Sequence, residues 1–312
     1  MNKYLKEYKW SNIFSMIRNN KVDPKQCTDT FDGRWVVITG ATSGIGYEAA
    51  KLYASRKANL ICINRNEKRS KELCDKLTKE FKIECKYFIA DFAHLADAHK
   101  TGTFLANLDV DIDVIIHNAG VFLTHRTFTD DNIEQVFQVN YLSSFIINYL
   151  IKDKLTAQDH ARIIHVNSEG HRFAIEGLKL DDLKWSKRRY SGLRSYGAAK
   201  TAQLLSMLKF QEIFMNTGVT INAMHPGDVK TNMGENNGKI YRFFKHNFVN
   251  PSAKSPQLSA EALYYLGVSN DLEDTTGSFF NFTTEEIPAP HALDKKMAEE
   301  LWPVSLKMGM LE

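Results

Sequence analysis

The stretch RWVVITGATSGIGYEAAKLYASR, from Arg34 to Arg56, carries the clearest fold signal in this 312-residue chain. Its first part is short, β-branched and ended by a glycine, which predicts a buried strand. Its last part, after Gly46, has the apolar spacing of a helix. Because a strand, a glycine-rich turn and a helix in this order begin a parallel α/β fold, we expect the alternation to continue along the chain.

Short apolar runs and longer helical patterns do alternate in the rest of the sequence. Parallel strands joined by helices require right-handed crossovers, with helices on both faces of one sheet. We therefore predict a Rossmann-like, doubly wound parallel sheet of about seven strands in one α/β domain, residues 34–312, preceded by a helical extension, residues 1–33. The further strands are predicted in ANLICIN, ECKYFIA, DIDVIIH, ARIIHVN and VTINAMH, and the further helices in EKRSKELCDKLTKEF and over Ala93–Asn107, Asn132–Ile151 and Arg194–Met215.

The composition is that of an ordinary globular protein, with 43% hydrophobic and 25% charged residues and a formal charge of +3. So small a charge argues against a nucleic-acid partner. The sequence shows neither a secretory signal nor an apolar run long enough to cross a membrane, so we expect a cytoplasmic protein. The four cysteines lack metal-binding spacing and are expected to be reduced thiols, and no metal site is predicted.

The glycine-rich turn is a candidate phosphate site. Gly40, Gly44 and Gly46, with Ser43 and Ile45 between them, allow a tight turn and a close approach of a pyrophosphate to the backbone. A helix beginning at Gly46 would direct free N–H groups and a partial positive charge at the phosphates. The alternative is that the three glycines only make a turn.

The end of the second strand bears on the choice of cofactor. In dinucleotide folds an acidic residue at this place binds the 2′-hydroxyl of NAD, but here Asn64 and Arg65 follow the strand. Asparagine does not repel a 2′-phosphate, and arginine pairs with one in fork geometry. The sequence therefore favours NADP(H) over NAD(H). The alternative is that Arg65 is only a solvated residue at the start of a helix.

The ends of the third and fourth strands supply further candidates for the cofactor site. Asp91 and Phe92 follow the third strand, and HNAG follows the fourth. The small residues of HNAG would let the chain pass flat beneath a nucleotide. Asp91 is equally compatible with a role as N-cap of a helix that starts at Ala93. The candidate contacts in HNAG are Asn118, Ala119 and Gly120.

The stretch RSYGAAKTAQLL places Tyr196 one helical turn before Lys200. A tyrosine hydroxyl, with a pKa of about 10, is a poor acid–base group near neutrality. A lysine ammonium on the same helix face favours the phenolate electrostatically, so that the pair can move a proton. Y-x-x-x-K alone is a weak signal. Ser168, at the end of the preceding strand, strengthens it because its hydroxyl can hydrogen-bond a substrate carbonyl.

In identity and order these motifs resemble those of the short-chain dehydrogenase/reductase family, over nearly the whole chain from Arg34 onward. His117 and Ala199 stand where asparagine and serine are commoner, but neither change removes a reacting group. The matching segments are TGATSGIG, HNAG, VFQVNYLSS, VNSEGH, YGAAK and HPGDVKTNM.

The resemblance implies an oxidoreductase that transfers a hydride between a nicotinamide cofactor and an alcohol or carbonyl group, with a catalytic tetrad of Asn140, Ser168, Tyr196 and Lys200. Tyr196 would be the general acid–base, and Ser168 would hold the reacting oxygen. Lys200 would lower the tyrosine pKa and bind the nicotinamide ribose, and Asn140 would hold a water in a proton relay. Contacts to the nicotinamide end are implied for Pro226, Gly227, Val229 and Thr231.

The long interval from Ser168 to Tyr196 and the C-terminal region are similar to the retinol-dehydrogenase-like branch, which includes the oxidoreductase part of the WW-domain oxidoreductases. The branch implies an apolar small-molecule substrate such as a retinoid, a steroid or a lipid aldehyde. Two other functions remain open: a catalytically weak nucleotide-binding sensor or scaffold, and an epimerase or dehydratase of the extended branch. The sequence leaves open the substrate, the direction of the reaction and whether the chain is a monomer, a dimer or a tetramer.

Three segments lie outside this scheme. Trp10, Ile13, Phe14 and Ile17 share one helical face, which is expected to pack on the protein's own core, with a membrane surface or a partner as the alternative. Residues 228–256 follow HPG, and within them residues 238–251 interleave aromatic and basic residues, so we expect a lid over the substrate, with surface docking as the alternative. Residues 284–312 are expected to form a C-terminal extension.

Overall fold

The computed structural model describes residues 3–20, 22–227 and 254–312. In these residues the strands are β1 Trp35–Thr39, β2 Asn59–Asn64, β3 Cys85–Ile89, β4 Val114–His117, β5 Ala161–Val166, β6 Val219–His225, β7 Phe279–Asn281 and β8 Thr284–Glu286. They form one sheet in the order β3-β2-β1-β4-β5-β6-β7-β8. The first seven are parallel, as predicted, and the short β8 pairs antiparallel with β7.

The strand order reverses between β1 and β4. β1 pairs with β2 on one side, Trp35 opposite Asn59, and with β4 on the other, Val36 opposite Val114. β1 and β4 are buried throughout, which explains their continuous apolar, β-branched runs. In open α/β sheets ligands bind beyond the carboxyl ends of the strands at such a reversal, so the sheet order itself indicates where a site lies.

Helices cover both faces of the sheet. They are α1 Lys3–Glu7, α2 Trp10–Asn19, α3 Gly44–Ser55, α4 Glu67–Phe81, α5 Leu95–Ala106, α6 Gln135–Phe137, α7 Ser143–Thr156, α8 Gly192–Ile213, α9 Pro256–Val268 and α10 Lys295–Met308. Alternate strand residues point to opposite faces. Val37 and Ile61 pack with α5, α7, α8 and α10, whereas Val36 and Leu60 pack with α3, α4 and α9. No described helix is long and apolar enough to cross a membrane.

The helix predicted over Asn132–Ile151 is broken into three parts. It begins at Gln135, because the carboxylate of Glu134 caps it by accepting a hydrogen bond from the Phe137 amide at 2.9 Å. A π-helical turn, Gln138–Leu142, follows α6, and α7 then continues to Thr156. The apolar periodicity does not reveal the π-helical turn, since its residues are all buried whichever helical form they adopt.

Two other helices are shifted by two residues from their predicted bounds. α3 begins at Gly44 rather than Gly46, and α8 runs from Gly192 to Ile213 rather than from Arg194 to Met215. The core face of each helix is unchanged by these shifts. The prediction was wrong at the termini, where few apolar residues mark the period.

Asp91 does not cap a helix at Ala93. α5 begins at Leu95, and His94 is its N-cap residue. The Asp91 carboxylate instead accepts a hydrogen bond from the Ala93 amide at 3.0 Å, which closes a short turn before the helix. Of the two readings of Asp91, the N-cap is therefore wrong.

The N-terminal helices contact the C-terminal part of the chain through polar groups. The Tyr4 hydroxyl donates to the Asp294 carboxylate at 2.8 Å, and the Asn19 side-chain amide donates to the Glu286 carboxylate at 3.0 Å. Phe14 is 66% exposed, so the prediction that it packs on the core is wrong. The other three side chains of that predicted face lie outside the described residues.

Candidate active site

Small and polar residues meet at the carboxyl edge of the sheet where the strand order reverses. Gly40 follows β1, Asn118 follows β4 and Ser168 stands two residues beyond β5. α8 reaches the same edge, since the Nζ of Lys200 lies 2.7 Å from the main-chain oxygen of Val166, the last residue of β5. Three strand ends and one helix therefore converge on one place.

The glycine-rich turn is held by the loop after β4. The side-chain amide of Asn118 donates to the carbonyls of Thr39 at 2.9 Å and Gly40 at 3.1 Å. A Cβ atom on Gly46 would overlap the Gly40 carbonyl and lie 2.5 Å from the same amide, and Gly40 has φ +73°. Only glycine fits at both positions, so the turn is fixed by packing within the protein. Asn118 therefore supports the turn.

Asn64, at the end of β2, also holds this turn. Its Oδ1 accepts a hydrogen bond from the Ala41 amide at 2.7 Å, and the residue is 3% exposed. Its Nδ2 is buried without a hydrogen-bond partner in the described part of the chain. Arg65, the next residue, is exposed. The end of β2 thus offers one buried donor and one exposed cation.

The residues at this edge fit a dinucleotide. α3 starts within the glycine-rich turn, at Gly44, and the exposed Ser43 at its N-cap makes no side-chain capping bond. The first amides of a helix have no acceptor within the helix and suit a phosphate. The first amides of α3 would hold the phosphates of NAD(P). The Asn64 donor and the Arg65 cation, at the end of β2, would hold its adenosine ribose.

The π-helical turn places Asn140 against the loop after β4. Its Oδ1 accepts from the Val121 amide at 2.7 Å and its Nδ2 donates to the Val121 carbonyl at 2.9 Å, so both side-chain groups are engaged. Its main-chain carbonyl accepts from the side-chain amide of Gln203 at 3.3 Å. π-helical turns recur at functional sites because they displace one residue from the regular ladder.

Ser168 and Tyr196 meet at Gly170. A Cβ atom on Gly170 would lie 2.8 Å from Cε1 of Tyr196 and 3.1 Å from Oγ of Ser168, so a glycine is needed for the two side chains to approach. The Ser168 hydroxyl accepts a hydrogen bond from the Gly170 amide at 2.9 Å, which orients it. The ring of Phe122 stands edge-on to that of Tyr196, with centroids 5.8 Å apart. The tyrosine ring is therefore held on two sides.

Lys200 is a buried ammonium beside this tyrosine. Its Nζ lies 5.8 Å from the centroid of the Tyr196 ring and donates to the Val166 carbonyl at 2.7 Å. Burial lowers the pKa of Lys200 to about 7, because the charged form loses its hydration. An anionic or hydroxyl-bearing ligand at this edge would favour the charged form.

Gln203, which no sequence motif indicates, links Lys200 to Asn140. Its Oε1 accepts from the Asn167 side-chain amide at 2.9 Å and from Lys200 Nζ at 3.5 Å, while its Nε2 donates to the Asn140 carbonyl. Gln203 is 2% exposed. The one available signal was a polar residue within the apolar run that follows Lys200. Gln203 therefore bridges the Lys200 ammonium and the main chain of Asn140.

Glu134 is another residue of this region that no sequence motif indicates. Its carboxylate accepts hydrogen bonds from the hydroxyls of Ser195 at 3.0 Å and Tyr190 at 3.1 Å, besides the Phe137 amide. Burial raises the pKa of Glu134, which these bonds partly offset. The contacts tie the first turn of α8 to α6. They therefore fix the approach of the helix that carries Tyr196.

A largely buried cluster of charged side chains begins directly after Ser168. The Glu169 carboxylate pairs with the Arg172 guanidinium, which also donates to Glu286 at 2.8 Å. Burial raises the pKa of Glu169 to about 7, and the Arg172 charge opposes that shift. Glu286 belongs to β8, so the ion pairs of Arg172 join the loop after β5 to the edge of the sheet.

The buried histidines sit behind the site. His117, whose position differs from the family pattern, stacks on His165 with centroids 5.0 Å apart, and its Nε2 is 2.7 Å from the Asn148 side-chain oxygen. Burial lowers the pKa of His117 to about 4 and that of His225 to about 3, so both rings are neutral near pH 7. His165, His225 and His291 are likewise buried.

The other candidate residues are placed as follows. Ile45 and Phe92 are buried in the two core layers, so that a ligand would meet their backbone. The Pro226 carbonyl accepts from the Ser259 hydroxyl at 2.7 Å, and Gly227 has φ +77° and abuts the Phe282 ring. Ala119 and Gly120 are half-buried beside Asn118. Val229, Thr231 and most of the predicted lid, residues 228–253, lie outside the described residues.

Comparison with known proteins gives a consistent result. The sequence model of the family described as short chain dehydrogenase matches residues 34–179. Retinol dehydrogenase 13 of Homo sapiens is 32% identical over 293 residues, covering 91% of this chain and 86% of that protein. The WW domain-containing oxidoreductase of Homo sapiens is 30% identical over 284 residues, covering 89% and 68%. A short chain dehydrogenase structure from Shigella flexneri, complexed with NADP, superimposes with a TM-score of 0.62 at 20% identity, covering 83% of this chain and 99% of that chain.

Proposed function

This chain belongs to the short-chain dehydrogenase/reductase family, as an oxidoreductase of alcohol and carbonyl groups, and we propose that it uses NADP(H) and an apolar small-molecule substrate. The observation that supports the assignment as an oxidoreductase is the convergence of Ser168, Tyr196 and the buried Lys200 at the carboxyl edge of the sheet. They provide an oriented hydroxyl, a phenol and an ammonium beside the glycine-rich turn, which suits a phosphate.

The chemistry divides among these three residues. When bound, the nicotinamide supplies or accepts the hydride. The hydroxyl of Ser168, oriented by the Gly170 amide, donates a hydrogen bond to the reacting oxygen of the substrate. Tyr196 gives a proton to that oxygen in reduction and takes it back in oxidation, as a general acid–base. The charge of Lys200 stabilises the phenolate that the transfer leaves.

The ammonium of Lys200 connects to the interior through Gln203. When Tyr196 is deprotonated, the phenolate attracts the ammonium of Lys200 and favours its charged form. Because this ammonium is buried, it needs hydrogen-bond acceptors within the protein. The Val166 carbonyl and Gln203 Oε1 supply two acceptors for it. In this proposal Asn140 orients Gln203 through its main-chain carbonyl and anchors the loop after β4 through its side chain.

The preference for NADP(H) rests on the end of β2. Asn64 carries no charge and Arg65 is exposed, so a 2′-phosphate meets no repulsion and one cation. The related structure from Shigella flexneri carries NADP, which supports the proposal by similarity of fold. The four cysteines form no disulfide among themselves, which favours a reducing compartment such as the cytoplasm.

The proposal of an apolar substrate rests on the similarity to retinol dehydrogenase 13 and on the aromatic residues of the predicted lid, which lie outside the described residues. Each buried methylene contributes about 0.8 kcal/mol, or roughly fourfold in kcat/KM. With a series of linear aliphatic aldehydes and NADPH, kcat/KM should rise with chain length and then level off. The double substitution Phe243→Ala and Phe244→Ala should flatten the rise more than it lowers the rate with the shortest aldehyde. A series with no dependence on length would reject the apolar substrate.

The competing functions make different predictions. A sensor or scaffold would bind NADPH but turn over no alcohol or carbonyl compound, and an epimerase or dehydratase would return the nicotinamide to its starting redox state. The oriented Ser168, Tyr196 and Lys200 argue against a sensor. The glycine turn has the spacing G-x-x-x-G-x-G rather than the G-x-x-G-x-x-G usual in the extended branch, which argues against an epimerase or dehydratase. Net change in nicotinamide absorbance with a panel of aldehydes, ketones and alcohols separates the three.

A further inference from the structure

Three cysteine thiols converge at the outer edge of the sheet, apart from the residues named above. Cys62 lies on β2, Cys74 on α4 and Cys85 at the start of β3. Their sulfur atoms all lie within 4.8 Å of one another. The strand register explains this, since Leu60 pairs with Cys85 and Cys62 is two residues further along the same face of β2. α4 packs over that face and brings Cys74 onto it.

Cys74 and Cys85 are the closest pair. The Cys85 thiol donates to the Cys74 sulfur, with 3.0 Å between the two Sγ atoms. A disulfide bond is about 2.05 Å long, so closure needs the two sulfur atoms to approach each other by about 1 Å. Cys62 and Cys74 are buried, whereas Cys85 is half-exposed. A small oxidant can therefore reach one member of the pair from solvent.

The surroundings favour a disulfide over a metal ion. The cluster lies in the apolar layer formed with Leu60, Leu73 and Leu77. Three thiolates around a divalent cation would leave a net negative charge there, and a buried charge is costly unless it is paired. A disulfide is neutral and apolar. Zinc sites in proteins also usually have four ligands, and in the described residues this cluster offers three.

We propose that Cys74 and Cys85 form a reversible dithiol–disulfide pair, a redox modification site that closes under a peroxide. A peroxide that enters beside the half-exposed Cys85 is attacked by the Cys74 thiolate; the O–O bond breaks, which gives a sulfenic acid on Cys74 and a hydroxide that takes the proton of the Cys85 thiol to become one water. The Cys85 thiolate then attacks the sulfenic sulfur of Cys74; the S–S bond forms, the S–O bond breaks, and the leaving hydroxide takes a proton to become a second water. In sum, two thiols lose two protons and two electrons, and one peroxide becomes two waters.

The electrostatics of the cluster agree with these roles. Hydrogen bonds from the Cys62 and Cys85 thiols lower the pKa of Cys74, so Cys74 is the thiolate of the group. The thiolate is the form that attacks the peroxide, and here it lies next to Cys85, the thiol that solvent reaches. The closed disulfide would join α4 to β3 and shorten the free loop of the unfolded chain, which stabilises the folded state.

The experiment treats the full chain with hydrogen peroxide under conditions that spare methionine, alkylates the remaining thiols and maps cross-links by mass spectrometry. The wild type should lose two alkylatable thiols, gain a Cys74–Cys85 cross-link and show a higher Tm, all reversed by dithiothreitol. The matched control Cys27→Ser removes the fourth cysteine, which lies outside the cluster, and should behave as the wild type does. Cys85→Ala should abolish both the cross-link and the rise in Tm.

Three outcomes would overturn the proposal. One is that all four thiols remain alkylatable after peroxide, and another is that a Cys62–Cys74 cross-link replaces the expected one. The third is that the purified protein contains about one equivalent of zinc or copper that the Cys85→Ala variant lacks, which would make the cluster a metal site. None of these readouts depends on turnover, so the proposal and the assignment as an oxidoreductase fail separately. A Cys85→Ala variant that does not fold would be replaced by Cys85→Ser.

Discussion

The ammonium of Lys200 is held by the main-chain carbonyl of Val166, at 2.7 Å, one helical turn from Tyr196 and in a nearly dry environment. Within the described part of the chain the Lys200 ammonium donates to Val166 and Gln203 and to no carboxylate. Its charge is therefore available to the tyrosine rather than neutralised by an acid. The arrangement has a cost in stability, because burial lowers the pKa of Lys200 to about 7.

The first prediction concerns stability and pH. The folded pKa of Lys200 is about 7 and its ordinary value is 10.5, so between these limits the unfolded chain binds one more proton than the folded chain. Stability therefore rises with pH in this window, by roughly 1.4 kcal/mol per pH unit at most, and this rise is absent in Lys200→Met. Urea unfolding of both cofactor-free proteins at pH 7, 8 and 9 measures the difference. The same pH dependence of the free energy of unfolding in the wild type and in Lys200→Met would contradict this prediction.

The second prediction concerns the proton transfer. Tyr196→Phe keeps the ring that packs against Phe122 and Gly170 but removes the hydroxyl, so kcat should fall at least about a hundredfold while NADPH still binds. Steady-state kinetics measure kcat, and cofactor fluorescence measures NADPH binding. Tyr149→Phe is the matched control, since a lysine ammonium also lies 4.2 Å from that ring, away from the site. Turnover near the wild-type rate in Tyr196→Phe would remove the tyrosine from its role.

The third prediction concerns the cofactor. NADPH should bind more tightly than NADH, and Arg65→Ala should weaken NADPH binding by about ten- to a hundredfold, roughly 1.5–3 kcal/mol for a charge-assisted contact, with little effect on NADH. Isothermal titration gives all four dissociation constants. Arg69→Ala, which removes another exposed arginine four residues further on, in α4, should change neither constant. Equal affinity of the wild type for the two cofactors would refute the assignment of Arg65.

The fourth prediction concerns Gln203 as a positioning residue. Gln203→Leu leaves the Asn140 carbonyl and the Lys200 ammonium each without one partner, so the pKa of Lys200 should fall further. The limb of the kcat/KM pH profile that reports Lys200 should move to lower pH, and stability should fall by about 1–3 kcal/mol per unpaired group. Gln211→Leu, on the same helix but bonded to Thr276 far from the site, should leave the profile in place. An unshifted profile in Gln203→Leu would make its role purely structural.

The sequence by itself determined strands β1 to β6 and the positions of the candidate reacting residues. β1 to β6 lie where their apolar runs predicted, because an apolar β-branched run bounded by turn residues depends on neighbours in the chain. The relation between Tyr196 and Lys200 was likewise local, since four residues in a helix always share a face. Helix ends and the π-helical turn at Asn140 were not predicted, because several backbone forms bury the same residues there.

Only the tertiary structure decided which partners these residues have. The acceptor of the Lys200 ammonium, Val166, is 34 residues away along the chain, and Gln203 reaches Asn140 across 63 residues. Cys62, Cys74 and Cys85 come from two strands and a helix, and their spacing in sequence carries no sign that they meet. Such contacts depend on the register between strands and on how a helix packs across them, and both are set by the burial of the whole apolar layer rather than by any local pattern.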